Sequence, residues 1–363
     1  MKKKIILSIS KLNGDESAGI NINIPKFVKY LNKFCNSGYL DCGDKELKNF
    51  AKFPNFFRTS DYKEFSIKKL PSPFNKPDMV VFQTLYVPEF IKISKELSEM
   101  NIPYTIVPRS SMTKLAQNKK KIKKFIGNII LFNSFVKNAS FIHFLTKNEY
   151  LESKNSFKFK EYVTIGNGIE MPNQYYTIRK KEFFDITFVG RLDIYHKGLD
   201  LLMDAICLDT VFFRKNKIRI NLYGPDFKNG ILFLRDKIKN NNLEDIVFLY
   251  DAVFGNDKEK VLLNSDIFIQ TSRMEGHPTG VIEAISYGIP VIVTPGTNVC
   301  EEVNKEKLGF ISERDSKSIL ESIKIAFLKK EDYKTISNNC IKYAKENYNW
   351  DIISKKILKD YFK

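Results

Sequence analysis

Short runs of apolar residues alternate along the chain with stretches in which apolar residues recur every three or four positions. A continuous apolar run predicts a strand covered on both faces of a sheet, and the three-to-four spacing predicts an amphipathic helix. The predicted strands are Lys4–Ser8, Met79–Gln83, Tyr104–Val107, Phe141–Leu145, Asp185–Val189, Ile218–Tyr223, Ile246–Leu249, Asp266–Gln270 and Pro290–Thr294. The predicted helices include Pro25–Phe34, Pro88–Met100, Lys197–Cys207, Thr279–Tyr287 and Ser316–Leu328. Strands and helices in this alternation form βαβ units with parallel sheets.

The length of 363 residues predicts two domains, at about 150 residues each. Residues 171–182 (MPNQYYTIRKKE) are polar, contain a proline and lack periodicity, which is typical of a linker. The predicted organisation is an N-terminal Rossmann-like domain over 1–170, this linker, and a C-terminal Rossmann-like domain over 183–345. Residues 346–363 are a candidate helix that packs back on the first domain. The fold class is therefore α/β with two doubly wound domains, and the cleft between them is the expected ligand site.

Composition excludes several classes of protein. Hydrophobic residues make up 43% and charged residues 28%, enough for ordinary globular cores and too apolar for a disordered chain. No apolar run approaches the roughly 20 residues that span a bilayer. The five cysteines are scattered without a CxxC pair, which favours free thiols and a cytoplasmic location. The three histidines lack the spacing of metal ligands among themselves, and the sequence shows no aspartate cluster of the type that would hold Mg²⁺ against a diphosphate. We therefore expect no metal and no other cofactor.

The positive charge is concentrated in the first half of the chain. The net charge is +17, of which residues 1–170 carry +14 and the remainder +3. Residues 101–148 hold nine basic residues and no acidic one. Such a surface attracts phosphates, anionic lipid or nucleic acid. The alternative is a composition that is rich in lysine throughout, with no functional consequence.

Two cations follow one predicted strand of the second half. Gly190-Arg191 ends the strand Asp185–Val189, and Lys197-Gly198 comes just before the next helix. The planar fork of arginine and the point charge of lysine together suit a diphosphate, and the helix N-terminus adds partial positive charge. Taken alone, a glycine and an arginine after a strand would indicate no more than a turn.

Two carboxylates follow another strand of the same sheet. Glu275 lies in the loop after Asp266–Gln270, and Glu283 lies about one turn into the next helix. A carboxylate there can accept hydrogen bonds from both hydroxyls of a ribose diol, and Glu275 is placed for sugar hydroxyls. Gly276 and Gly280 allow the backbone close to a ligand. Glu283 by itself would fit an ordinary solvated helix position, but cations and carboxylates together at strand ends predict a nucleotide-sugar site.

This half of the chain resembles the nucleotide-sugar-binding domain of retaining glycosyltransferases of family 4, which have the GT-B fold. Glu275 and Glu283 match the family's pair of glutamates separated by seven residues, and Gly190-Arg191-Leu192 with Lys197-Gly198 match its basic elements. The resemblance runs from about 160 to 312. It implies that Arg191 and Lys197 bind the donor diphosphate, that Glu283 binds the ribose, and that Glu275 faces the transferred sugar. It also places His277, Thr279, Gly276 and Gly280 around the donor.

The first half resembles the family more weakly. Gly166-Asn167-Gly168 resembles the turn that closes the first domain. Gly19 lies where relatives carry a glycine pair after the first strand, with Ala18 in place of the other glycine. Arg109 falls where many relatives place a residue near the reacting sugar, which implies a contact with donor or acceptor. Asp251 replaces another usual glycine beside the expected base site, which puts base recognition in doubt.

A basic amphipathic helix is predicted around Lys119–Lys124 (KKKIKK), followed by Phe125, Ile126 and further apolar residues. One interpretation is peripheral contact with an anionic membrane that carries a lipid-linked acceptor. The other, which relatives with a lysine-rich helix here favour, is a helix of the first domain with a solvated basic face.

The resemblance implies transfer of a sugar from a UDP- or GDP-sugar to a saccharide or lipid-linked acceptor, with retention and without a metal, in synthesis of a bacterial surface polysaccharide. Arg191 and Lys197 would stabilise the leaving diphosphate, and no protein nucleophile or general base is assigned. Alternatives are a nucleotide-sugar epimerase of similar fold, a non-catalytic sensor, and a basic nucleic-acid-binding protein. The sequence carries no helix-turn-helix, zinc or RNA-recognition signature, so we expect no nucleic acid partner.

Overall fold

Two parallel sheets, each packed on both faces by hydrophobic core residues, organise the chain. The computed structural model describes residues 3–12, 19–43, 55–118 and 121–363. Unit 1 comprises Met1–Gly168 with Trp350–Lys363, and unit 2 comprises Ile169–Asn349. The chain therefore passes from one unit to the other twice, and its last helix belongs to unit 1.

Among the described residues of unit 1, seven parallel strands lie in the order β3-β2-β1-β4-β5-β6-β7. Their bounds are β1 Ile5–Ser10, β2 Asn36–Asp41, β3 Phe56–Arg58, β4 Met79–Phe82, β5 Tyr104–Ile106, β6 Phe141–Phe144 and β7 Tyr162–Thr164. The strand order reverses between β1 and β4. The carboxyl end of a parallel sheet at such a reversal is where ligands bind in doubly wound folds.

The helices of unit 1 cover both faces of this sheet. They are α1 Gly19–Leu31, α2 Glu89–Glu99, α3 Lys114–Asn118, α4 Lys121–Gly127, α5 Asn133–Asn138 and α6 Lys147–Ser153. A π-helical segment, Asn128–Phe132, joins α4 to α5. One core contains Leu7 and Ile9 with the apolar side of α2, and the other contains Ile6 with α1. Alternate residues of β1 thus face opposite layers, which the buried run Ile5–Ser10 predicts for a doubly covered sheet.

Unit 2 has the same architecture. Among its described strands the order is β10-β9-β8-β11-β12-β13, and all pairs are parallel. The bounds are β8 Phe184–Val189, β9 Ile218–Tyr223, β10 Val247–Tyr250, β11 Ile267–Gln270, β12 Val291–Val293 and β13 Gly309–Ile311. The helices are α7 Ile194–Lys197, α8 Leu199–Leu208, α9 Thr210–Lys215, α10 Gly230–Asn240, α11 Gly255–Leu263, α12 Thr279–Tyr287, α13 Cys300–Lys305, α14 Ser316–Leu328 and α15 Tyr333–Asn347. The order reverses between β8 and β11, so the loops after these two strands meet at one edge.

The last helix, α16 (Trp350–Tyr361), packs against α1 of unit 1. Trp350 is buried beside Gly168, where an added Cβ would lie 2.4 Å from the indole ring, so only glycine fits. At the other end, the Tyr361 hydroxyl and the Ile165 carbonyl each lie 2.7 Å from a ring nitrogen of His143. Burial lowers the pKa of His143 to about 4. The neutral ring thus donates to the carbonyl and accepts from Tyr361.

Most of the predicted strands and helices are present, with four strands added and one helix starting later. The short strands β2, β3, β7 and β13 were not predicted. The predicted helix Lys197–Cys207 corresponds to α8, and its first residue, Lys197, is separated from it by Gly198 and ends α7. The segment 171–182 lies in unit 2, where Tyr176 is buried and its N–H donates to the Tyr287 carbonyl at 2.7 Å. Five free cysteines are present, as predicted. Among the described residues, no helix is both long and apolar enough to cross a bilayer.

Candidate functional site

Arg191 emerges from the end of β8, directly after Gly190. Its guanidinium lies 4.5 Å from the centre of the Phe227 ring, which is within cation–π range and orients its planar fork. Phe227 comes from the loop after the neighbouring strand β9. The two loops can approach because residue 224 is glycine: an added Cβ would lie 1.8 Å from the Gly190 carbonyl oxygen. The strand ends therefore present a half-buried, oriented cation at the carboxyl edge of the sheet.

Lys197 ends the single-turn helix α7, which Asp193 caps. The Asp193 carboxylate accepts from the His196 N–H at 3.2 Å and lies 2.6 Å from Nδ1 of the same histidine. Gly198 then has a φ of +63°, and an added Cβ would lie 2.0 Å from the Thr271 carbonyl oxygen. Only glycine tolerates both the left-handed turn and this approach. The sharp turn brings Lys197 to the end of β11.

Lys197 and Glu275 form an ion pair, with Nζ 2.6 Å from Oε1 and about a sixth of each side chain exposed. The same carboxylate oxygen accepts from Gln270 Nε2 at 2.9 Å and from Ser272 Oγ at 2.8 Å. Asn298 Nδ2 also donates to the Glu275 backbone carbonyl, at 2.5 Å. Because all three side-chain donors meet Oε1, the position of Glu275 is fixed by hydrogen bonds from several elements. Two of the predicted site residues are thus in direct contact across the β8–β11 switch point.

Glu283, on α12, forms an ion pair with Lys258 of α11. The side chains are 15% and 25% exposed, so the pair is partly screened from solvent. α12 packs closely on the sheet at Gly280, whose added Cβ would lie 3.2 Å from the Val189 carbonyl oxygen and 3.1 Å from the Phe268 ring. This contact brings the first turn of α12 to the end of β8, the strand that Arg191 follows.

The other predicted residues of unit 2 lie around these pairs. Gly276 is in the loop between Glu275 and α12, and Thr279 is the first residue of α12. His277 is buried and packs edge-on against Tyr348, with ring centres 5.8 Å apart. The structure thus gives His277 a packing contact, and its contact with a donor stays a prediction. Asp251 is exposed and directly follows β10.

Gly19 and Arg109 belong to unit 1. Gly19 is the first residue of α1, and residues 13–18, which include Ala18, lie outside the described residues. Arg109 follows β5 and donates from Nη2 to Gln83 Oε1 at 2.7 Å. Burial lowers the pKa of its guanidinium to about 10, so Arg109 is charged at neutral pH. Arg109 and Ser110 have backbone φ values of +49° and +65°, which residues other than glycine rarely adopt.

Several residues that complete the site were not predicted. Gln270 and Ser272 support Glu275, Lys258 pairs with Glu283, and Phe227 faces Arg191. The polar run Gln270-Thr271-Ser272 after an apolar strand was a usable signal for the first two. No local pattern marks Lys258 or Phe227, because their relevance depends on which loops the sheet order brings together.

Comparison with known proteins gives a consistent picture. Residues 176–347 match the model of the family described as glycosyl transferases group 1. Protein CapJ of Staphylococcus aureus is 28% identical over 178 residues, which are 48% of this chain and 43% of CapJ. One component of the human phosphatidylinositol N-acetylglucosaminyltransferase is 28% identical over 50% of this chain and 37% of its own length. The putative colanic acid biosynthesis glycosyltransferase WcaL of Escherichia coli is 25% identical over 34% of this chain and 32% of its own. The chain thus spans less than half the length of these relatives.

The whole chain resembles solved structures in fold. Anabaena HepE, in a crystal structure with UDP and glucose, superimposes with a TM-score of 0.75 over 99% of both chains at 15% identity. Such a likeness concerns the fold, and the predicted fold class is confirmed. The chain therefore has the GT-B fold, and its residues 176–347 match the glycosyl transferases group 1 family.

Proposed function

We propose that this protein is a retaining, metal-independent glycosyltransferase that moves a hexosyl or N-acetylhexosaminyl group from a UDP- or GDP-sugar to a saccharide or lipid-linked saccharide acceptor. The observation that carries the proposal is the set of two cations and two carboxylates at the β8–β11 switch point of unit 2: Arg191, Lys197, Glu275 and Glu283. The family match covers all four residues. The relative named for colanic acid biosynthesis supports a role in bacterial surface polysaccharide synthesis.

In this proposal the donor diphosphate binds to Arg191 and Lys197. The Lys197 ammonium carries three protons, so it can keep its contact with Glu275 and still donate to phosphate oxygens. Glu283 accepts hydrogen bonds from the ribose hydroxyls, with Lys258 fixing its carboxylate. The backbones of Gly190, Gly276, Thr279 and Gly280 line the path of the donor. His277 supports the loop that carries Glu275 and Gly276.

The reaction breaks the bond between the anomeric carbon and the diphosphate oxygen. Negative charge grows on the leaving diphosphate and positive charge on the sugar ring, as in glycoside hydrolysis. Arg191 and Lys197 stabilise the negative charge on the leaving diphosphate. Electrostatic stabilisation of this type is usually the largest catalytic contribution. Glu275, held by Gln270 and Ser272, contacts the transferred sugar. The acceptor hydroxyl gives its proton to a leaving-phosphate oxygen, so no protein base is required.

Unit 1 contributes Arg109 and Gly19 in this proposal. Arg109 contacts the donor or acceptor sugar, and the amide of Gly19 approaches the donor phosphate. The strained backbone at Arg109 and Ser110 supports a functional role, because such conformations cost on the order of 1–3 kcal/mol each and cluster at active sites.

Analysis of the reaction products tests the proposed function. The purified protein is incubated with a panel of UDP- and GDP-sugars and simple glycoside acceptors, with EDTA present, and the products are followed by proton NMR. We expect release of the nucleoside diphosphate and a new glycosidic bond with the anomeric configuration of the donor. An inverted product contradicts retention, loss of turnover in EDTA contradicts metal independence, and an epimerised sugar without transfer favours the epimerase.

We also propose that unit 1 contacts a membrane surface through the apolar face of α4 and the π-helical segment that follows it. Its apolar side chains are 51–78% exposed and recur at helical spacing: Ile122, Phe125, Ile126, Ile129 and Ile130. An amphipathic surface helix normally buries this stripe. Exposed lysines Lys121 and Lys123 flank it, while Lys119 and Lys120 lie outside the described residues. Apolar residues with basic neighbours suit an anionic lipid surface better than a solvated face.

Sedimentation with lipid vesicles tests this contact. We expect binding to vesicles with 30% phosphatidylglycerol in phosphatidylcholine and little binding to phosphatidylcholine alone. Replacing Ile122, Phe125 and Ile129 by Gln is expected to weaken partitioning at least about tenfold, since each buried apolar side chain contributes about 1.5–3 kcal/mol. The matched control replaces Leu208, Val211 and Leu328, which are also exposed but lie in unit 2. Equal binding by both variants would contradict the contact.

A further inference from the structure

Glu149 has a buried carboxylate that has no role in the proposed reaction as described above. It lies in the first turn of α6, and its side chain is fully buried. The Thr146 side chain caps this helix by accepting from the Glu149 N–H at 3.1 Å. A Thr followed three residues later by Glu is the sequence of a capping box, in which the glutamate normally reaches back to the cap residue's own N–H. Here the carboxylate points elsewhere, so capping alone does not explain why it is buried.

The carboxylate of Glu149 instead holds two backbone segments. Its Oε2 accepts from the Leu145 N–H at 2.7 Å, and its Oε1 accepts from the Ser110 N–H. Leu145 follows β6, and Ser110 follows β5, so the two oxygens join the carboxyl ends of adjacent strands. A neutral side chain of the same shape has one acceptor oxygen in place of two. The ionised carboxylate is therefore suited to both contacts at once.

Glu149 holds the backbone turn at Arg109 and Ser110, which is conformationally strained. Arg109 and Ser110 both have left-handed backbone conformations, and such residues persist only where their surroundings impose the conformation. Thr113 Oγ1 donates to the Ser110 carbonyl at 2.9 Å, and Arg109 bonds to Gln83. The Ser110 N–H is the link between this turn and α6. Without it, the turn that orients Arg109 loses its backbone hydrogen bond to α6.

We propose that Glu149 is a positioning residue for Arg109. By accepting a hydrogen bond from the Ser110 N–H, it fixes the strained turn that carries Arg109. This inference rests on the proposed function, in which Arg109 contacts the sugar. Glu149 itself touches no substrate in this account. Its contribution is to keep the Arg109 guanidinium in place when the sugar is transferred.

The ionisation of Glu149 gives this role a pH dependence. Burial raises the pKa of its carboxyl to about 7, against the opposing effects of the Ser110 and Leu145 N–H groups and of Arg109, while Glu152 of α6 adds to the rise. As the pH falls through about 7, the Glu149 carboxyl takes up a proton, and its hydrogen bond from the Ser110 N–H weakens. The free energy of unfolding has the opposite dependence on pH. The Glu149 carboxyl of the folded chain keeps its proton up to about pH 7, whereas in the unfolded chain it releases the proton near the ordinary pKa of a glutamate. Between that value and about 7, stability falls as the pH rises.

The experiment compares Glu149→Gln with Glu152→Gln, an exposed glutamate on the same helix. Hydrogen exchange of the peptide that contains residues 109–113 is measured at pH 8, together with kcat and KM from pH 6 to 8.5. We expect exchange of the Ser110 amide to rise at least about tenfold in Glu149→Gln. We expect kcat to fall about tenfold, with little change in donor KM, and its dependence on pH near 7 to disappear. Glu152→Gln should match the wild type in exchange and in kcat at pH 8, where Glu149 is ionised in both.

Two outcomes overturn the inference. Unchanged exchange in Glu149→Gln would show that the carboxylate does not hold the turn. Faster exchange with wild-type kcat would show that the turn does not matter for transfer. If the wild type transfers no sugar, the proposed function fails, and the exchange data still decide whether Glu149 holds the turn. If Glu149→Gln does not fold, Glu149→Asp replaces it, and its shorter side chain should also speed exchange at Ser110.

Discussion

Replacing Lys197 by Ala is expected to lower kcat by about 10²–10³-fold. Loss of one group that stabilises charge on a leaving oxygen typically has this magnitude. Glu275 keeps hydrogen bonds from Gln270 and Ser272 in the variant, so its carboxylate is not left unpartnered. The fold should therefore survive, and initial rates at saturating donor measure the effect. A melting temperature within a few degrees of the wild type would confirm that the loss is catalytic.

The matched control for Lys197 is Lys217→Ala in the same unit. Lys217 forms an ion pair with Glu182 in which both side chains are more than half exposed, and such pairs contribute little to stability. The kcat of Lys217→Ala should equal that of the wild type. Lys197→Arg is informative as well, because arginine keeps the charge but not the compact ammonium that fits beside Glu275. A Lys197→Ala enzyme within threefold of the wild-type kcat would remove Lys197 from the mechanism.

Replacing Glu283 by Gln is expected to weaken donor binding by about 10–100-fold. Hydrogen bonds to a charged group are each worth about 1.5–3 kcal/mol, and every 1.4 kcal/mol is a factor of ten in Kd. Glutamine keeps the size of the side chain and one acceptor oxygen, while the ion pair with Lys258 is lost. Isothermal titration with the nucleoside diphosphate measures the change. Glu321→Gln, an exposed glutamate of α14, is the control.

Deoxynucleotides show whether Glu283 acts through the ribose. Removal of the 2′- or 3′-hydroxyl from the ligand should weaken binding to the wild type about tenfold. In Glu283→Gln much of this penalty should be absent, since the two changes remove the same contact and are not additive. Additive effects would place the ribose away from Glu283.

Most strands and the four charged site residues could be predicted because short stretches of sequence are enough to identify them. Runs such as Ile267-Phe268-Ile269 are apolar enough to predict covered strands, and Arg191, Lys197, Glu275 and Glu283 lie at fixed distances from such runs. The sequence also marks Gly198, but it does not show why glycine is needed. The reason is the Thr271 carbonyl oxygen, which lies in the loop directly after β11, more than 70 residues away along the chain.

Features that depend on strand order could not be predicted. β2 (NSGYLD) contains glycine and polar residues, and β13 (GFI) has only two apolar residues after a glycine. Their stability comes from pairing with β1 and β12. The contacts of Lys258 with Glu283 and of Glu149 with Ser110 likewise join residues 25 and 39 positions apart. Thr146 and Glu149 had the spacing of a capping box, yet nothing local showed that the carboxylate would hold the Arg109 turn.

Binding of nucleoside diphosphates is the measurement that tests the central claim most directly. The melting temperature of the wild type and of Arg191→Ala is recorded with UDP, GDP and ADP, first in EDTA and then with Mg²⁺. We predict that one diphosphate stabilises the wild type in EDTA, by about 2.7 kcal/mol at a hundred times its Kd, and that Arg191→Ala abolishes the shift. If no diphosphate shifts the wild type while polyanions such as heparin or DNA do, the cations of unit 2 are not a nucleotide-sugar site.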